Sequence, residues 1–250
     1  MTKLVIFADK RVGFEICEYL FSIQEDISRI YIRNSDEKYS LKIKERFQDF
    51  TDIFLSDELK NKSHVEELKK IEPDYMLTVY WPYILKTDVF KLAKNGCVNF
   101  HPALLPKNRG WYPHVHNILN ETVAGVTLHF IDENSDTGPI LAQKTVNVEP
   151  SDSASTLYKK LGDEMINLFK NSWNKIKNEE IKPTPQNEKL STYYKKSDIT
   201  DLIDLDKEYS GRKLINILRA RSFGEKGFAY FKIGDKKIFL NLRLNYDGNF

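Results

Sequence analysis

The chain has 250 residues, 41% hydrophobic and 12% aromatic, enough to bury the core of one large domain or of one domain with a smaller appendage. Thirty-eight basic side chains against 36 acidic ones leave a formal charge of +2, so there is no broad basic field to attract a nucleic acid, although a small anionic substrate fits. Two cysteines, Cys17 and Cys97, are too few for a disulfide framework or a structural zinc site and are expected to be reduced thiols.

The opening MTKLVIFADK enters a strand-like run at once, without the basic stretch, apolar core and small-residue cleavage site of an export signal. No run approaches the ~20 apolar residues needed to cross a bilayer, and the expected compartment is the cytoplasm. Short apolar runs at 4–8, 29–32, 52–55, 75–80, 97–100 and 125–131 predict strands, and amphipathic patterns at 12–22, 63–71, 86–95 and 113–121 predict helices between them. This alternation is that of an α/β protein with a mostly parallel central sheet. A further strand begins at Pro139 or Ile140. A long helix then spans 152–177, with Ser151 or Ser153 as its N-cap and Leu157, Leu161, Ile166, Leu168 and Phe169 on its apolar side. Residues 181–207, polar and carrying two prolines, read as a connecting segment between a catalytic domain over 1–180 and a C-terminal segment over 208–250. That segment holds a helix from Tyr209 to Arg221 and a β-hairpin turning at Gly234-Asp235. An isolated hairpin is marginal in water, so its apolar residues, Phe231, Ile238 and Leu240 among them, need a partner surface. A second copy of the chain is expected to supply it, the other choice being the chain's own domain.

Chemistry concentrates in VNFHPALLPKNRGWYPH, residues 98–114, directly after a predicted strand, where α/β proteins place their reactive loops. Asn99 and His101 are two residues apart and share one face of an extended strand. A histidine can exchange a proton near neutral pH, its unperturbed pKa being ~6.5, and a neutral asparagine beside it can donate to a developing oxyanion. A second cluster, HFIDENSDTGPIL, runs a strand into an acidic turn in which Asp136 precedes Thr137-Gly138. Its carboxylate could orient the His101 imidazole, support its charged form and relay a proton through water. A lone histidine after a strand is more often a satisfied structural residue, and a lone Asp-Thr-Gly often marks only a turn. The set of Asn-x-His-Pro, the Leu-Leu-Pro and Arg-Gly that follow, and an Asp-Thr-Gly downstream is far more specific.

On these motifs the chain resembles the folate-dependent formyltransferases, and most of all their sugar-nucleotide N-formyltransferase branch. The resemblance is strongest over 75–160 and extends to KNRGWYP, STYYKKSDI and LINILRARSF. It implies a Rossmann-like formyltransferase fold carrying a small C-terminal helix and β-hairpin, with Asn99, His101 and Asp136 as the catalytic set. It also implies 10-formyltetrahydrofolate as formyl donor, with no metal. The pterin would be met by the segment with Tyr80, Trp81, Tyr83, Ile84 and Leu85, by Leu105, and by main-chain groups of Asp132, Glu133 and Asn134. The acceptor implied is the amine of a nucleotide-linked sugar, such as dTDP-4-amino-4,6-dideoxyglucose or a dTDP-3-amino-dideoxyhexose, used in O-antigen or other surface-polysaccharide synthesis.

For that substrate, Arg219 or Arg221 with Lys107 and Arg109 is expected to meet the diphosphate, since arginine offers forked donors to phosphate oxygens. Asn108 and Trp111 lie in the same run, and Tyr193, Tyr194 or Phe223 would stack on the base. The first βα turn lacks the glycine-rich phosphate loop, and Lys10 and Arg11 at the start of the next helix stand in as phosphate contacts. Ala103 occupies a position that is often Ser in the family. The competing readings are a methionyl-tRNA formyltransferase or another formyl-folate-dependent amine formyltransferase, a hydrolase passing the formyl group to water, and a catalytically silent nucleotide-binding module. A dinucleotide oxidoreductase is disfavoured because no G-x-G-x-x-G follows the first strand.

Overall fold

A computed structural model describes residues 1–33 and 36–246; residues 247–250 of the expected C-terminal segment lie outside the described residues. In chain order the elements are β1 (Lys3–Ala8), α1 (Lys10–Ser22), β2 (Asp26–Ile32), α2 (Lys38–Phe47), β3 (Asp52–Leu55), α3 (Lys62–Ile71), β4 (Tyr75–Val79), α4 (Thr87–Phe90) and β5 (Cys97–His101). Then follow β6 (Arg109–Gly110), α5 (Pro113–Leu119), β7 (Ala124–Phe130), β8 (Ile140–Val146), α6 (Ala154–Lys177), β9 (Tyr193–Tyr194), α7 (Gly211–Ala220), β10 (Ser222–Phe223), β11 (Lys226–Gly227), β12 (Tyr230–Ile233) and β13 (Lys236–Phe239).

Seven strands form one sheet in the order β3-β2-β1-β4-β5-β7-β8, parallel from β3 through β5, with β7 antiparallel to β5. The mostly parallel α/β architecture expected from the alternating pattern is therefore present. Its central strands read as unbroken apolar runs because both faces are covered: Leu4 to Ala8 and Tyr75 to Val79 are all buried. Crossing from parallel to antiparallel at β5 and β7 brings the carboxyl end of β5 beside the start of β7, with Asn99 opposite His129 and His101 opposite Thr127.

Two compact units compose the chain. The first contains residues 1–101, 127–143 and 165–186, the second 102–126, 144–164 and 187–250. This spatial grouping is interleaved along the sequence, whereas the divisions at 180 and 207 are linear ones. The first unit is built on an apolar cluster of Val5, Phe7, Tyr31, Met76, Phe90 and Cys97, in which Phe7 and Tyr31 stack 4.9 Å apart. On the other sheet face the later turns of α6 bring Phe169 to 4.9 Å from Phe100, and the Trp173 indole N–H donates to Glu25 at 3.0 Å. In the second unit β6 pairs with β9 in parallel, and Gly110, at φ +85, passes so close to the Tyr194 carbonyl that a Cβ there would overlap it. The early turns of α6 start from Ser153, whose hydroxyl accepts from the Thr156 amide at 3.4 Å, which selects Ser153 over Ser151 as the cap.

Several elements differ from the sequence expectation, the short strands β6, β10 and β11 among them. The helix expected over 86–95 stops at Phe90: the Lys91 and Leu92 amides close its last turn on Thr87 and Val89, and farther on Lys94 N–H donates to the Pro73 carbonyl and Asn95 N–H to that of Asp74. Helix α2 escapes a periodicity reading since Lys38–Phe47 carries five charged residues among its few apolar ones. The connecting segment contains β9, a two-residue strand too short to leave a pattern. The hairpin of β12 and β13 turns at Gly234, φ +57, as expected. Among the described residues no helix is long and apolar enough to cross a membrane.

Candidate active site

The first unit brings Asn99, His101 and Asp136 together. Asn99 and His101 leave the same face of β5 at its carboxyl end, as alternation requires. The His101 Nδ1 lies 3.5 Å from Asp136 Oδ1, and the Asn99 amide nitrogen donates to that same oxygen at 3.3 Å. Asp136 sits in the left-handed region, φ +58, a conformation that an aspartate tolerates better than most residues. The turn holding it is fixed from three sides. The Thr137 hydroxyl donates to Asp132 at 2.6 Å, the Gln186 amide donates to the carbonyls of Asp136 and Gly138, and Gly138 packs against the Phe130 carbonyl so closely that any Cβ would collide with it. The result is a carboxylate aimed at an imidazole and an amide, an arrangement able to stabilise an oxyanion and to move a proton.

Two participants were not singled out from the sequence. His129, 1% exposed, donates from Nδ1 to the Phe130 carbonyl at 2.8 Å and accepts at Nε2 from the Asn99 amide at 3.0 Å; its Nε2 is 3.8 Å from Asp136. Burial lowers its pKa to about 4, only partly opposed by the Asp136 charge, so the ring is neutral at physiological pH. Thr78 on β4 donates to the Asn99 side-chain oxygen at 2.8 Å. The signals were the parallel register of β4 with β5 and the antiparallel register of β5 with β7, which no local pattern contains.

Of the residues expected at the pterin, Trp81 leans on Phe7 and Tyr83, Leu85 is buried in the apolar cluster, and Tyr83 and Ile84 are exposed. Tyr80 takes a left-handed φ of +55 just after β4, and the buried Trp81 indole nitrogen has no hydrogen-bond partner. A cavity of about 550 Å³ in this unit, within the range of small-molecule sites, is lined by Phe90, Lys91, Ala93, Lys94, Asn95, Gly96, Cys97, Phe130, Ile131, Asp132 and Glu133 and includes none of Asn99, His101 and Asp136. Glu133 pairs with Lys91 at 3.0 Å, and the Asn134 amide donates to Asp132. Leu105, in the second unit, is buried. Lys10 pairs with Glu37 at 3.5 Å and Arg11 with Glu15 at 2.8 Å, both at half-exposed positions.

In the second unit the remaining residues have varied settings. Lys107 is exposed, and Asn108 is buried with its amide donating to Thr192. Arg109 is buried and bidentate to Glu188 at 2.7 and 2.8 Å. Trp111 is exposed beneath the Lys196 ammonium, 3.7 Å from its ring centre, and Tyr193 is exposed. Arg219 is buried, its guanidinium donating to the carbonyls of Glu149, Pro150 and Asp152, so it acts as a clamp on that loop. Arg221 forms a forked pair with Asp201, and Phe223, exposed, approaches Tyr158. Tyr194 stacks on His116 at 3.6 Å. Among the described residues no cluster of His, Cys, Asp and Glu could hold a metal ion.

Comparison with known proteins fits this geometry. Residues 22–171 match the formyl transferase family, and residues 198–246 match the N-formyltransferase dimerization C-terminal domain. Among curated relatives, the bifunctional polymyxin resistance protein ArnA of Wigglesworthia glossinidia brevipalpis is 29% identical over 92% of this chain and 34% of its own. Methionyl-tRNA formyltransferase of Kosmotoga olearia is 39% identical over 62% of this chain and 50% of its own. The chain thus spans a third to a half of the length of these relatives. A crystal structure of a 4-N formyltransferase from Francisella tularensis superposes with a TM-score of 0.86 at 24% identity, covering 98% of both chains. An N-formyltransferase from Helicobacter canadensis, solved with folinic acid and dTDP-3-aminofucose, gives 0.73 at 23% identity over 95% of this chain and 86% of its own. The carboxylate, imidazole and amide thus stand on a fold shared with these solved structures, and the chain belongs to the formyl transferase family.

Proposed function

We propose that this protein transfers the formyl group of 10-formyltetrahydrofolate to the amine of a nucleotide-linked amino sugar. The observation that carries the reading is the convergence of Asn99, His101 and Asp136 at the carboxyl end of β5. The Helicobacter relative, solved with folinic acid and a dTDP-linked amino sugar, supports the choice of donor and acceptor class.

The folate supplies an electrophilic formyl carbon. Asn99 and His101 donate to its oxygen as that oxygen gains negative charge during attack by the neutral amine, the Asn99 hydrogen that otherwise reaches Asp136 at 3.3 Å turning to the formyl oxygen while the other stays on His129. The amine must lose a proton and the departing nitrogen must gain one, and the His101–Asp136 pair, 3.5 Å apart, is placed to hold that proton in transit. No covalent bond to the protein is needed. For the nucleotide, the exposed Trp111, Tyr193 and Phe223 are the stacking candidates and Lys107 a phosphate contact, whereas Arg109, Arg219 and Arg221 are each engaged by partners of their own. The finer choice of dTDP-4-amino-4,6-dideoxyglucose, a role in surface-polysaccharide synthesis and a cytoplasmic setting remain part of the proposal.

Methionyl-tRNA is the rival acceptor, favoured by the 39% identity to a tRNA enzyme. Against it stand the near-neutral charge of +2 and a C-terminal match to the N-formyltransferase dimerization domain. We further propose a homodimer formed through that domain. In the β12–β13 hairpin Phe231, Ile233 and Ile238 share one face, and Ile233 and Ile238 are 58% and 42% exposed, an apolar surface left open.

Turnover of purified protein with the formyl donor, with and without acceptor, tests the reaction class. Loss of donor only when a sugar-nucleotide amine is present supports transfer; formate released without amine identifies a hydrolase.

A further inference from the structure

We propose that His129 and Thr78 are positioning residues for Asn99: His129 sets the orientation in which the side-chain NH2 group faces the reaction space, and the Thr78 hydroxyl holds the oxygen end in place. The inference rests on the reading of Asn99 as a hydrogen-bond donor to the formyl oxygen.

A side-chain amide can sit in two orientations of almost equal shape, and only its neighbours distinguish them. At Asn99 the oxygen accepts from the Thr78 hydroxyl at 2.8 Å, and the nitrogen donates to His129 Nε2 at 3.0 Å and to Asp136 Oδ1 at 3.3 Å. The direction of the His129 bond is not free. Its Nδ1 lies 2.8 Å from the Phe130 carbonyl, which can only accept, so the ring hydrogen is on Nδ1 and Nε2 offers a lone pair. Turning the amide over would set its oxygen against that lone pair and against the Asp136 carboxylate, three acceptors with no hydrogen among them. Thr78 and His129 are 2% and 1% exposed, so water does not take over either role. The charged or titratable groups facing His129 are Asp136 at 3.8 Å, with His101 and Asp132 nearby, and burial keeps the ring a neutral acceptor down to about pH 4. Strand register maintains the clamp: Thr78 is the β4 neighbour of Asn99 and His129 its β7 neighbour, so three adjacent strands hold one amide.

The test is steady-state kinetics on the full chain with formyl donor and sugar-nucleotide acceptor, for Thr78→Val, His129→Leu and His129→Gln, each made alone and in an Asn99→Ala background. Thr78→Val changes little but the hydroxyl, so its outcome does not hinge on folding. We expect Thr78→Val and His129→Leu to lower kcat on the order of 10-fold to 100-fold with both KM values within about twofold. His129→Gln, whose carbonyl oxygen can accept the same hydrogen, restores most of the loss. In the Asn99→Ala background, none of the three lowers kcat further, since the group they position is gone. An equal loss in both backgrounds, or a change in KM with kcat intact, overturns the inference. Normal turnover of Asn99→Ala alone overturns instead the reading of the site on which it rests, and that failure is visible before Thr78 or His129 is touched.

Discussion

Asn99, His101 and Asp136 are held together because one carboxylate oxygen lies against both the imidazole and the amide, and the proposed reaction uses them as a set. Asn99→Ala or His101→Ala is accordingly expected to lower turnover by at least ~100-fold while leaving the far-UV circular dichroism spectrum unchanged. A second residue-scale prediction concerns acid. His129 and His114 are buried, and burial lowers their pKa values to about 4 and about 3 from the ordinary 6.5. Below pH ~6.5 the unfolded imidazoles take up protons that the folded ones refuse, so acid favours the unfolded chain. Unfolding free energy should therefore drop by about 2 kcal/mol per histidine between pH 7 and pH 5, as read from urea titrations at the two pH values. His129→Gln should remove its share of that slope, and a slope unaltered by it would contradict the assignment. At this scale the sequence disclosed the Asn-x-His pair, because two-residue alternation is a local property. His129 and Thr78 stayed hidden, because their relation to Asn99 exists only through pairing between strands.

The elements place these residues by a change of strand direction. Parallel strands β4 and β5 deliver Thr78 and Asn99, while the antiparallel return of β7 delivers His129 and then the turn that carries Asp136. That turn depends on Gly138, whose missing Cβ lets it close on the Phe130 carbonyl. Gly138→Ala should destabilise the protein by about 1–3 kcal/mol, measured by denaturant unfolding, and lower kcat through displacement of Asp136. Unchanged stability would show that the turn has room the structure does not give it. The strands and the long helix α6 were legible because burial on both sheet faces writes continuous apolar runs and an amphipathic helix writes a 3.6-residue period. The pairing of β6 with β9 was not, since it is decided by backbone groups distant in sequence.

At the scale of the whole molecule, the family is established and the oligomer follows as a proposal from the exposed hairpin face. Light scattering on the purified chain should give twice the chain mass, and Ile238→Lys, which places a charge on the open face, should shift it toward the single-chain value. A single-chain mass for the unaltered protein would remove the dimer. The reaction itself is most directly tested by incubating the protein with 10-formyltetrahydrofolate and a panel of acceptors, nucleotide-linked 3-amino and 4-amino sugars beside methionyl-tRNA, and weighing the products. One amino sugar should gain the mass of a single formyl group, in an amount equal to the tetrahydrofolate formed, and Asp136→Asn should abolish the gain. Formyl transfer to methionyl-tRNA alone, or undiminished transfer by Asp136→Asn, would contradict this account.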